Sequence, residues 1–122
     1  MSAAVVERTC TATVEADAPG SAVHTASLAR HVIETLRDHT KHPALTALDD
    51  LAFEAVELLH AAITKRDKDG GIYAAAKLDQ VMALALIMEQ HADTGEWDSL
   101  GAARYLLRDA LSSLNDTREA WQ

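Results

Sequence analysis

Apolar residues recur at helical spacing in four blocks after residue 20, and three of the four have one dry face and one wet face. From Ser21 to about Thr40, Ala26, Leu28, Ala29, Val32, Ile33 and Leu36 oppose Ser27, Arg30, His31, Glu34 and Asp38. From Pro43 to Lys65, leucines and alanines from Leu45 to Ile63 oppose Asp49, Asp50, Glu54, Glu57 and His60. From Asp98 to about Asn115, Leu100, Ala103, Leu106, Leu107, Ala110, Leu111 and Leu114 make the cleanest stripe. The third block, about 72–93, has no polar side. At about 100° per residue, Leu78 and the run Val81–Met88 point in nearly every direction. A helix apolar all round needs cover all round, so this one is expected to sit centrally or to touch another chain.

The punctuation agrees with four helices. His42-Pro43 separates the first two, because a residue before proline is pushed out of helical geometry and Pro43 is tolerated in a first helical turn. Lys68-Asp69-Gly70-Gly71 reads as the next turn, with Gly95 as a C-cap and Asp98 as the cap of the last helix. Short connections make neighbouring helices antiparallel. The expected fold is all-α, an up-down antiparallel four-helix bundle over 21–122, with helices at about 21–40, 43–65, 72–93 and 98–115. Residues 1–20 alternate Glu7, Thr9, Thr11, Thr13 and Glu15 with Cys10, Ala12 and Val14, which is strand spacing without a partner strand. They are expected to form an extended or disordered N-terminal arm, ended by Ala18-Pro19-Gly20.

Composition narrows the function. The chain has 122 residues, which fits one domain, and 48% of them are hydrophobic, enough for a core. Its net charge of −8 opposes nucleic-acid binding, which needs clustered Lys and Arg, and is compatible with a basic protein partner. The uninterrupted apolar run falls well short of the roughly 20 residues of a membrane span. Cys10 is the single cysteine, and no leader-like segment is visible, so a cytoplasmic location is expected.

Candidate chemistry is thin. Glu57-Leu58-Leu59-His60 resembles the Glu-x-x-His element of carboxylate-bridged di-iron bundles, where it occurs on two helices and faces inward. Here it occurs once and falls on the wet face. Lys65–Ala76 resembles a helix–loop–helix calcium loop at Asp67, Asp69, Gly70 and Ile72, yet Lys65 and Ala76 stand where the first and last ligands belong. The six histidines (His24, His31, His39, His42, His60, His91) open an alternative, a histidine-based metal-binding or phosphotransfer bundle. None is followed by the Lys and Gly of a phosphotransfer histidine, and His39 and His42 fit a helix C-terminal dipole. Cys10 lacks the surroundings of a nucleophile, and no serine elbow or phosphate loop is present.

The sequence thus implies a small, acidic, non-enzymatic protein that acts by protein–protein binding, of inhibitor, immunity, antitoxin or adaptor type, without cofactor, metal, nucleic acid or membrane. It is expected to be a homodimer. The expected contact is the side of the third helix carrying Tyr73, Leu84, Ile87 and Met88. Phe53 and Tyr105, aromatics set among charges, are further interface candidates.

Overall fold

The computed structural model describes residues 21–92 and 95–121. They form four α-helices: α1 (Ala22–Thr40), α2 (Pro43–Lys65), α3 (Lys68–His91) and α4 (Ser99–Glu119), with a 3₁₀ turn (Gly95–Trp97) before α4. The protein is an all-α four-helix bundle. Each helix packs on the two beside it, most extensively α1 on α4 and α2 on α3, then α1 on α2 and α3 on α4. The expected N-terminal arm lies outside the described residues.

A single periodicity builds the core. On α2 the buried positions include Leu45, Leu48, Ala52, Ala55, Leu59 and Ala62; on α3 they are Gly71, Ala74, Leu78, Val81, Ala85 and Met88. On α4 they are Leu100, Ala103, Leu107, Ala110 and Leu114, and Ala22, Ala26, Ala29, Ile33 and Leu36 supply the seam of α1. The steps alternate three and four, a mean of about 3.5 residues, which is the repeat of helices packed knobs-into-holes. Every seam mixes large and small side chains, and on α4 leucine and alanine alternate strictly from Leu100 to Leu114.

The third helix is therefore not central. It buries one seam like the others and leaves its opposite side open, which removes the central placement, one of the two alternatives the sequence offered. Over an 18-residue window α3 is long and apolar enough to cross a bilayer, by length and composition, and 33% of that window is buried in the bundle. Counting uninterrupted apolar residues misses this, since Asp79 and Gln80 interrupt the run. Asp79 stands near the midpoint of α3, where a carboxylate in hydrocarbon costs roughly 2.5–3.5 kcal/mol.

Several helix ends differ from expectation. Lys68-Asp69-Gly70-Gly71 is not the turn but the first turn of α3, because the Asp67 side chain accepts the Asp69 N–H (3.1 Å) and its carbonyl accepts the Gly71 N–H (2.8 Å). The reversal is made by Arg66, in the left-handed region at φ 52°. Gly71 is needed for close approach, since a Cβ there would lie 2.9 Å from Arg118 Cδ and 3.2 Å from Trp121 Cζ3. At the far end α3 stops at Ala92, and Gly95 opens the 3₁₀ turn instead of capping α3. Asp98 occupies the cap position of α4, but its side chain makes no capping hydrogen bond. Helix α4 continues to Glu119, past the expected Asn115, because Trp121 is buried at that end.

His42 is also reassigned. It does not serve the C-terminus of α1; its Nδ1 accepts the Ala44 N–H (3.0 Å) and caps α2. Its ring stands edge-on to Trp97, 5.1 Å between centroids, tying the α1–α2 turn to the start of α4. His42→Ala should lower stability by about 1–2 kcal/mol through loss of the cap and the ring contact. Urea denaturation checks this; an unchanged midpoint would mean the cap contributes nothing.

Candidate interaction surface

Polar groups that the wet-face pattern places in solvent are partly inside. Asp49 is 1% exposed, correcting its assignment to the wet face of α2. It holds Arg30 through Nε (3.2 Å) and Arg37 through Nη1, both from α1. Arg30 also pairs with Glu34 (2.9 Å), and Arg37 with Asp38 (2.9 Å). The hydrogen-bonded Asp38 carboxylate, helped by Asp49, holds the Arg37 guanidinium above its ordinary pKa. This is an interhelical clamp joining α1 to α2.

Phe53 belongs to the same region. It is 46% exposed, and the Arg30 guanidinium lies over its ring, 4.9 Å from the centroid. Such a cation–π contact commonly contributes about 0.5–1 kcal/mol at an exposed site. Phe53 therefore has a partner within the bundle already. Leu28, placed on the dry side of α1 by spacing, is largely exposed.

The remaining exposed apolar surface is concentrated on α3. Four of the seven exposed large apolar side chains among the described residues are there: Ile72, Tyr73, Leu86 and Ile87. Tyr73 is 68% exposed and Ile87 52%, Leu84 is half-buried, and Met88 at 6% belongs to the inner seam. Met88 thus drops out of the expected contact. The rest of the outer side is Ala76, Asp79, Gln80, Ala83 and Gln90, all exposed, so Asp79 is the one exposed charged residue between Ile72 and Gln90, with half-buried Lys77 at the margin beside Leu84. The equivalent side of α2 carries Asp50, Glu54 and Glu57, which is what a helix facing only water shows.

Two features border this face. Towards α2, Lys77 pairs with Glu54 (3.3 Å). Towards α4, an open groove of about 240 Å³ is lined by Met82, Ala83, Leu86, Arg104, Tyr105 and Arg108. Arg104 is anchored there by Glu89 (2.9 and 2.7 Å), and Tyr105, 68% exposed, stands at the rim. Tyr105 therefore adjoins the α3 face, whereas Phe53 lies under Arg30 at the α1–α2 contact. Sequence spacing alone missed the Asp49 clamp and the α3–α4 groove.

Glu57 and His60 are both exposed on α2. Among the described residues no three His, Cys, Asp or Glu side chains form a group able to hold a metal ion. Asp67 and Asp69, the matches to a calcium loop, are spent on capping and on the first turn of α3. Cys10 lies outside the described residues. What the described surface offers is an exposed apolar helix face. No family model matches this chain, and no curated protein and no solved structure matches it either.

Proposed function

We propose that the protein is a small, non-enzymatic, cytoplasmic binding module of the inhibitor, immunity, antitoxin or adaptor type, which self-associates and meets protein partners through the outer face of α3. The observation that carries this reading is the contrast between that face and the outer face of α2. Fully burying an Ile or Leu side chain is worth about 1.5–3 kcal/mol, and α3 presents several of them beside Tyr73 with one charge among them. The commonest route to covering such a surface is a two-fold contact between copies. The net charge of −8 favours a basic partner for the remaining surface.

Sedimentation velocity at tens of micromolar tests the reading. The wild type should run as a dimer, and Ile87→Glu as a monomer with an unchanged far-UV circular dichroism spectrum. Ile87 projects from the bundle, so its replacement reports on association without disturbing the core. A monomeric wild type would remove self-association from the proposal.

A further inference from the structure

The outer side of α3 consists of two adjoining strips, and the polar residue at the middle of each decides which one fits a second copy. One strip, towards α4, carries Ile72, Asp79, Ala83 and Leu86; the other, towards α2, carries Tyr73, Ala76, Gln80, Leu84 and Ile87. Both have large apolar residues at their ends and a polar residue at the middle. Ile72 and Leu86 stand equally far from Asp79, and Tyr73 and Ile87 stand equally far from Gln80.

A two-fold axis across an antiparallel helix pair places the midpoint residue against its own copy and joins residues equidistant from it. On the strip towards α4 this sets Asp79 against Asp79 of the second copy, two carboxylates in a contact being stripped of water, which opposes association. On the strip towards α2 it sets Gln80 against Gln80. A glutamine amide both donates and accepts, so two of them satisfy each other. The same operation brings Tyr73 against Ile87 of the second copy at both ends. It seats Leu84 over the small Ala76, and it brings Asp69 towards His91 at the margins.

We infer that the protein forms a two-fold dimer in which α3 packs antiparallel on α3 of a second copy, with Gln80 on the axis and Tyr73 against Ile87. The inference rests on the reading of α3 as the binding face and fixes the partner and the register. Asp79 lies at the edge of the contact and turns the dimer away from the other strip.

Disulfide trapping tests the register, in a Cys10→Ser background and under mild oxidation. Gln80→Cys should give a covalent dimer, because cysteines on the axis come within the roughly 7 Å between Cα atoms that a disulfide allows. Tyr73→Cys alone should not, since its own copy is displaced by about 21 Å along the helix. Mixing Tyr73→Cys with Ile87→Cys should restore the cross-link, and Asp79→Cys should stay uncrosslinked. In the uncrosslinked protein, Gln80→Glu should weaken the dimer about tenfold or more, while Asp79→Asn should leave it within about twofold. A dimeric wild type in which Gln80→Cys fails to link, or Tyr73→Cys links to itself, overturns the register and leaves the binding reading standing. A dimer that survives Ile87→Glu overturns the use of this face, and a monomeric wild type overturns the pairing together with self-association.

Discussion

Replacing Arg30 and Arg37 together with alanine should destabilise the bundle by about 3–5 kcal/mol, well beyond the sum of the two single replacements. Asp49 is buried between α1 and α2 and has both guanidiniums as partners. Removing one leaves the carboxylate a charged donor; removing both leaves a buried charge without a counter-ion. The reverse operation should be milder. In Asp49→Leu the two arginines, each partly exposed, keep Glu34 and Asp38, and Arg30 keeps the Phe53 ring. Urea denaturation of wild type, both singles, the double variant and Asp49→Leu gives the coupling directly. Additive losses for the two arginines would show that each acts independently, with no coupling through the shared Asp49 carboxylate.

Leu78→Ala should cost about 2–5 kcal/mol, the range for truncating a leucine that has no solvent contact. Ile87→Ala, on the same helix, should change the stability of the monomer by no more than about 0.5 kcal/mol. The two residues are close in sequence and similar in size and hydrophobicity. They differ in position: Leu78 sits on the seam shared with the other helices, and Ile87 faces outward. Denaturation in dilute solution, where association does not contribute, makes the comparison. Equal losses at the two positions would mean that α3 is wrapped on both sides, contrary to the packing described above.

The helical segments and their order were legible in the sequence because three of the four carry a clean two-sided pattern and His42-Pro43 marks a break with a physical cause. The span of α2 follows from that pattern and from Lys65 at its end. The start of α3 was not legible, because Gly70-Gly71 reads as a turn when the side chains that require Gly71, Arg118 and Trp121, lie at the other end of the chain. The burial of Asp49 was hidden for a related reason. It stands one position beyond Leu48, at the margin of the seam, where a neighbouring helix decides whether a side chain is wet. Its partners Arg30 and Arg37 are seven residues apart on α1, so they stand on one edge, but nothing local to α2 reveals this. The excess of apolar residues on α3 was legible, whereas the division between core and surface was not. Met88 and Ile87 look alike in a one-dimensional pattern, and only the step of Ala85 to Met88 along the seam separates them.

The ring of contacts between helices has a consequence for how the chain folds. Three of the four packed pairs join helices that follow one another, so they can form by closing short loops at small entropic cost. The α1–α4 contact is the exception: it is among the most extensive, yet both other helices lie between its members in sequence. Local hairpins such as α2–α3 are favoured to form first, and the bundle becomes stable only when α4 swings back onto α1. That last closure sets the separation in sequence of the native contacts, and with it the folding rate. A circular permutant that joined the end of α4 to the start of α1 and opened the chain at the Arg66 turn would make the closure local and move the long-range step to α2 and α3.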